Sequence, residues 1–197
     1  MLNQYHNPHS RSSSPLQNAI LAHAEEAHGE GQSYNDNAER TALRNFLKHC
    51  KPFQKFWISY FGKPSNAKIM DDPMGLYNVD LGIVDRDDSS VIHGLIEVDV
   101  FNEWGNVWPS HYTKFHLLKR KFKYWRTNDY PFLTVTFNKF RNSLVCTTRP
   151  YMEKCVNELG VERMYVKKSQ CYDNITRCPL NSEHVHWFHL LHKNTHT

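Results

Sequence analysis

Two acidic residues in neighbouring apolar segments suggest a site for a divalent cation. Asp80 lies within the segment Tyr77–Asp85, and Glu97 lies within Gly94–Val100. A carboxylate in an apolar strand is costly to bury without a partner, and two carboxylates close together repel each other. A hard ion such as Mg²⁺ removes both costs, because it is commonly held by one or two carboxylates. We therefore predict a cation between Asp80 and Glu97.

A β-hairpin is the element that must position these acids. The runs Leu76–Asp85 and Val91–Phe101 are rich in strand-forming residues and are separated by a polar turn. Successive side chains of a strand point to opposite faces, so Glu97 and Asp99 share one face. Pairing of the two strands would bring Asp80 near Glu97. The acids are thus predicted to point together from one side of a sheet.

A basic segment follows the hairpin and indicates an anionic substrate. No acidic residue occurs between Gly105 and Asn128. Helical spacing of apolar residues after Pro109 predicts that this segment is a helix, followed by a buried strand, Phe132–Phe137. Acids that bind a cation next to a basic helix suit a phosphodiester substrate. The basic residues are Lys114, Lys119, Arg120, Lys121, Lys123 and Arg126.

The remaining pattern predicts an α/β domain with a mixed central sheet flanked by helices. Apolar residues recur at helical spacing from Asn37 to Gly62, and Pro52 interrupts them, which favours a kinked helix or two short ones. Residues 1–36 are polar and are predicted to be a flexible tail, with a single domain over 37–197. Further short strands are predicted at 143–146, 163–166 and 184–190.

Length and composition exclude several classes of protein. The chain has 197 residues, a formal net charge of +4 and 40% hydrophobic residues. This suits one soluble domain with a core, and no apolar run is long enough to cross a bilayer. The start of the chain lacks a signal sequence, and five irregularly spaced cysteines fit reduced thiols, so we expect a cytoplasmic protein. No nucleophile elbow, phosphate-binding glycine loop or dinucleotide fingerprint is present, which argues against kinases, NTPases and dehydrogenases.

Together, Asp80 on one strand, Glu97 on the next, a following helix and the strand Phe132–Phe137 resemble the αβββαβ core of the PD-(D/E)XK, or restriction-endonuclease-like, nucleases. Glu39 stands where that family often has an acid in its first helix. The resemblance spans roughly residues 37 to 140. It implies a restriction-endonuclease-like core, here with extra C-terminal strands, and a metal-dependent endonuclease that hydrolyses DNA.

The resemblance also implies site residues, with one departure. Asp80, Glu97 and Asp99 would hold Mg²⁺ or Mn²⁺. The third motif of the family reads acid, any residue, lysine, whereas this chain has Glu97, Val98 and Asp99. Lys121 is the preferred replacement for the lysine and Lys114 the other candidate. Further phosphate contacts are expected from the basic segment, at Lys114, Lys119, Arg120, Lys123 and Arg126.

Other interpretations stay open at this point. The segments from Trp104 to Lys121 and from Tyr130 to Asn138 are similar to small uncharacterised proteins encoded by bacteriophages. The missing lysine supports a nucleic-acid-binding protein on the same fold that has lost catalysis. A phage protein that binds a host protein is a third interpretation. DNA or RNA as substrate, strandedness, cleavage specificity and oligomeric state are not decided by the sequence, and a homodimer is compatible with it.

Overall fold

The computed structural model describes residues 36–75, 79–122, 128–166 and 170–190, and for five of these the backbone alone: Asp36, Asn37, Arg120, Val166 and Cys171. All of them belong to one compact unit, Asn35–Thr197. The predicted tail lies outside the described residues except for the backbone of Asp36. No helix in the described ranges is long and apolar enough to cross a membrane.

Two helices open the described chain, as the pattern predicted. Helix α1 spans Asp36–His49 and helix α2 spans Lys51–Phe61. Cys50 between them has an extended backbone, and Pro52 occupies the first turn of α2. Proline cannot donate the amide hydrogen bond of a continuous helix but is well tolerated in a first turn. Pro52 therefore explains why the two helices are separate.

In the part of the chain that the structure describes, nine strands form two sheets. Their order in the large sheet is β1-β2-β3-β5-β6-β9, and in the small sheet β4-β8-β7. A third helix, α3, spans Arg149–Leu159. The strands are β1 Ala67–Asp71, β2 Leu81–Asp85, β3 Ile92–Phe101, β4 Lys114–Leu118, β5 Phe132–Asn138, β6 Ser143–Thr148, β7 Glu162–Val166, β8 Cys171–Pro179 and β9 Val185–His189.

The large sheet confirms the predicted fold class. Its pair β3 and β5 is parallel, whereas its other neighbouring strands are antiparallel. It is thus a mixed sheet flanked by helices. The hairpin of β2 and β3 and the strands near 143–146, 163–166 and 184–190 are also confirmed. Strand β2 begins at Leu81, so Asp80 lies just before the strand instead of inside it.

The predicted helix in the basic segment is wrong. Residues Lys114–Leu118 form β4, and Lys119–Phe122 form one turn of 3₁₀-helix. Strand β4 pairs antiparallel with β8, with Leu117 opposite Thr176. Leu117 is buried and its neighbours are more exposed, which is the alternation of a strand. The described part of the connection from β3 to β5 therefore contains no α-helix, unlike the αβββαβ order. Strands β1 and β8 and helix α3 were not predicted.

The large sheet is buried on both faces, against different elements. Helices α1 and α2 cover one face, where Phe46 contacts the rings of Phe53 and Phe137. The opposite face belongs to a second cluster that includes Leu117 of the small sheet and Met152 of α3. Glu97 belongs to this second face, because it alternates with Ile96, which packs in the first cluster.

Truncation of Phe46 tests the packing of α1 on the sheet. Phe46 is fully buried, so we expect Phe46→Ala to lower the free energy of unfolding by about 3–5 kcal/mol. Ile58→Ala, on the exposed side of α2, is the control and should change it by less than about 1 kcal/mol. Urea unfolding followed by tryptophan fluorescence measures both. Equal changes in the free energy of unfolding for the two variants would contradict the packing of α1 on the sheet.

Candidate functional site

Asp80 is held beside Glu97 by the start of the hairpin. The antiparallel register pairs Leu81 with Ile96. The residue before Leu81, Asp80, is therefore level with the residue after Ile96, Glu97. Residues opposite each other in an antiparallel pair point to the same face. The Val98 amide donates a hydrogen bond of 2.6 Å to Oδ2 of Asp80. The hairpin therefore brings these two predicted acids together.

Glu97 is the more deeply buried of the two acids. Its side chain is 10% exposed, and Lys121 Nζ donates a hydrogen bond to its Oε1. Its other oxygen, Oε2, is buried and has no hydrogen-bond partner among the described residues. Buried polar atoms in folded proteins are nearly always hydrogen-bonded. An acceptor left over at this position is therefore suited to a ligand that carries positive charge.

Lys121 reaches Glu97 from the 3₁₀ turn that follows β4. Burial alone would lower the pKa of its ammonium group. The nearby carboxylates of Glu97, Asp99 and Asp80 outweigh that effect and raise its pKa above the ordinary value, so Lys121 is charged. The structure thus brings a lysine to the acids, although from a different element than the sequence predicted.

Asp80 carries the charge that is least well compensated. Burial, and then repulsion by Glu97, raise the pKa of Asp80 to about 7. The Val98 amide and the cations of Lys121 and Arg40 oppose this rise. A carboxylate with these surroundings gains from any additional cation nearby, because the cation offsets both the burial and the repulsion.

Asp99 differs from the other two acids. It shares the face of Glu97 by strand alternation, but its side chain is exposed. Its Oδ1 accepts a hydrogen bond of 2.8 Å from the Val100 amide. Within the described ranges, no group of three or more acids, histidines or cysteines is arranged closely enough to hold a metal. The site therefore consists of the buried Glu97, the partly buried Asp80 and a lysine, with a third acid at its edge.

Two site neighbours were missed by the sequence analysis. Arg40 of α1 donates hydrogen bonds of 2.9 and 2.7 Å to the two carboxylate oxygens of Asp72. Its Nη2 lies 3.9 Å from Oδ1 of Asp80. No signal in the sequence connects residues that are 32 positions apart in this way. Glu39, which the resemblance matched to the acid of the family's first helix, accepts a hydrogen bond of 2.8 Å from Arg141.

None of the other basic residues of this segment that the structure describes lies on an α-helix. Lys114 begins β4 and Lys119 follows it, and both side chains are exposed. For Arg120 only the backbone is described, and Lys123 and Arg126 lie outside the described residues. The exposed lysines are therefore carried by the small sheet and its 3₁₀ turn.

Removal of the Asp80 charge should stabilise the metal-free protein at neutral pH and above. Folded Asp80 keeps its proton up to about pH 7, whereas an unfolded aspartate loses it near pH 4. Between these values the folded state binds more protons, so the free energy of unfolding falls as pH rises. We expect Asp80→Asn to be more stable than the wild type by on the order of 2 kcal/mol at pH 8, with little difference at pH 4.

Urea unfolding in EDTA across this pH range measures the difference. Asp88→Asn is the control, and its effect on stability should have the opposite sign, because hydrogen bonds from Ser90 lower the pKa of Asp88. That variant should lose stability relative to the wild type as pH rises from 3 to 6. A stability difference for Asp80→Asn that does not depend on pH would contradict the conclusion that burial and Glu97 disfavour the charge of Asp80.

Comparisons with known proteins identify no family. No protein-family model matches the sequence, and a search of curated proteins finds no significant match. Among solved structures, D212, a nuclease from a fusselovirus, is similar with a TM-score of 0.44 and 10% sequence identity. The match covers 77% of this chain and 91% of that one. A likeness at this level transfers neither a family nor an activity to this chain.

Proposed function

We propose that this protein is a metal-dependent nuclease that hydrolyses phosphodiester bonds of DNA. The observation that carries the proposal is the grouping of Asp80, Glu97 and Lys121 on one face of the large sheet. Two carboxylates can hold a divalent ion and a lysine can offset developing negative charge, so this set suits metal-assisted hydrolysis of a phosphodiester. Exposed lysines on the adjoining small sheet supply positive charge for the nucleic-acid backbone.

The acids fit Mg²⁺ or Mn²⁺. Asp80 and Glu97 would hold the ion, and Asp99 would join them from the edge of the site. The buried and unpartnered Oε2 of Glu97 supports this assignment, since carboxylate oxygen is the preferred ligand of these ions. Such an ion, when bound, polarises the scissile phosphate and lowers the pKa of the attacking water.

Lys121 is proposed to act on the reacting groups. Its Nζ already lies at Glu97, so it is placed beside the acids without a further movement of the backbone. A charged ammonium group here would orient the attacking water and offset negative charge that develops on the phosphate. In this proposal Lys121 takes the place of the lysine that is missing after Val98.

The remaining basic residues are proposed to bind phosphates. Lys114 and Lys119 are exposed, and Arg120, Lys123 and Arg126 follow them in the sequence. Contacts of this kind give affinity that depends on salt but do not read the base sequence. They are expected to hold the DNA backbone against the site.

A catalytically inactive nucleic-acid-binding protein is the second candidate. Two observations favour it: Lys121 is paired with Glu97, and the described residues contain no cluster of three metal ligands. This protein would bind DNA through the same lysines without cutting it. Cleavage assays separate the two functions, because they differ only in the chemical step.

Cleavage of DNA should depend on a divalent ion and on both buried acids. With Mg²⁺ or Mn²⁺ we expect the purified protein to cut plasmid or oligonucleotide DNA, and Asp80→Asn or Glu97→Gln to slow single-turnover cleavage at least 100-fold. Glu158→Gln, an exposed position on α3, is the matched control and should cut normally. Cleavage is followed on gels, with EDTA as the metal-free reaction.

Two results would contradict the nuclease proposal. Equal cleavage by wild type and both variants would indicate a contaminating enzyme. Binding of DNA without cleavage under any divalent ion would favour the inactive protein instead.

Lys121 and Lys119 should affect different steps. Lys121→Ala should lower the single-turnover rate by orders of magnitude with little change in DNA affinity, because its charge acts mainly in the transition state. Lys119→Ala should weaken DNA binding and reduce the slope of log K against log salt by about 0.9 for a duplex. Lys154→Ala on α3 is the control for a surface lysine. A Lys121→Ala protein that binds poorly but cuts normally at saturation would refute its assigned role.

A further inference from the structure

Two consecutive acids at the end of β1 are each paired with an arginine of α1. Asp71 accepts a hydrogen bond of 2.7 Å from Arg44, and Asp72 accepts two from Arg40. The two arginines are four positions apart, so they lie on the same side of the helix. The helix thus places one guanidinium group over each acid.

The two ion pairs differ in their surroundings. The side chains of Arg44 and Asp71 are 39% and 48% exposed, which makes theirs a surface pair. Arg40 is 11% exposed, and its Nη2 also lies 3.9 Å from Oδ1 of Asp80. Of these two pairs, the one formed by Arg40 and Asp72 borders the candidate metal site.

Asp72 is held close to Asp80 through its backbone as well. Its amide donates a hydrogen bond of 3.0 Å to the carbonyl of Asp80, and its own carbonyl accepts one from Gly75. Its φ of 47° lies in the left-handed region, which costs a residue with a side chain of order 1–3 kcal/mol. The surrounding contacts maintain this conformation, and they keep a further carboxylate near that of Asp80.

We propose that Arg40 is a positioning residue that keeps Asp72 out of the divalent-ion site, so that Asp80 and Glu97 hold the ion. This inference rests on the proposed metal-dependent function. Carboxylate oxygens are good ligands for hard cations, and Asp72 would otherwise be available as one. The guanidinium group occupies both of its oxygens in a bidentate arrangement, which lysine cannot reproduce.

The proposal has a consequence for charge. Counted over six described residues alone, with all acids ionised, the four carboxylates of Asp72, Asp80, Glu97 and Asp99 and the cations of Arg40 and Lys121 sum to a formal charge of −2. Replacement of Arg40 by a neutral residue changes this charge to −3 and releases Asp72. A divalent cation should then bind more tightly, but with a ligand set that no longer fixes Asp80 for the reaction.

Titration of the metal-free full-length protein with Mn²⁺ tests the inference by calorimetry. Arg40→Gln should bind Mn²⁺ about tenfold more tightly than the wild type, the size expected for one unit of charge close to the ion. The same variant should cut DNA more slowly in single-turnover assays at saturating Mn²⁺. Adding Asp72→Asn to Arg40→Gln should return the Mn²⁺ affinity to the wild-type value, since no third acid is then released.

Arg44→Gln is the matched control, because it removes the same charge from the same helix at the exposed pair. Its Mn²⁺ affinity should stay within about twofold of the wild type, as expected for a screened surface charge. Equal effects of Arg40→Gln and Arg44→Gln would overturn the inference, since total charge alone would then explain them. Weaker Mn²⁺ binding by a folded Arg40→Gln protein would overturn it too.

A second variant covers the case in which Arg40→Gln does not fold. Arg40→Lys keeps the charge but loses the bidentate contact, so it should still bind Mn²⁺ more tightly than the wild type, and unchanged binding would overturn the inference. Failure of the wild type to bind Mn²⁺ would contradict the metal site itself. That outcome is distinct from normal binding by the wild type with no effect of the variants, which would overturn the role of Arg40 alone.

Discussion

The contact between Lys121 and Glu97 connects the two sheets at the acidic face. Glu97 comes from β3 in the interior of the large sheet, and Lys121 from the 3₁₀ turn that follows β4 of the small sheet. A buried carboxylate without a partner costs several kcal/mol, so the folded chain must bring a cation to this point. The course of the chain after β3 meets that requirement by bringing Lys121 to Glu97. Loss of either partner would leave the other charge buried and uncompensated.

The same contact explains why the charge of Asp80 is less well compensated than that of Glu97. Lys121 neutralises Glu97 directly, whereas Asp80 has the Val98 amide at 2.6 Å and a guanidinium nitrogen at 3.9 Å. Its compensation is incomplete, and its pKa is raised accordingly. The folded protein therefore contains an unfavourable interaction that the proposed cation would relieve, and its binding would then be coupled to stability. A surface pair such as Arg44 and Asp71 offers no such coupling, because solvent already screens it.

Local patterns predicted the hairpin and its acids, and long-range pairing decided the rest. Alternation in β3 is sufficient to place Glu97 and Asp99 on one face, and Pro52 is sufficient to divide the first helices. The segment from Lys114 to Phe122 has apolar residues that suit either a helix or a strand, and its pairing with β8 settles the choice. That pairing joins residues about sixty positions apart, and no local sequence pattern indicates it. Arg40 was missed for the same reason, since its partners lie 32 and 40 positions along the chain.

A lysine that is already bonded to a proposed metal ligand raises the question of how one acid could serve both. The two oxygens of Glu97 have separate surroundings: Oε1 accepts from Lys121, and Oε2 is buried and unpartnered among the described residues. A cation at Oε2 would therefore not displace the lysine, and the ammonium group would stay close to the reacting phosphate. Because repulsion between the two cations would oppose this arrangement, the second buried acid has a necessary part in it. In the proposed arrangement, Asp80 supplies negative charge from just before the neighbouring strand, and Arg40 keeps Asp72 from adding more.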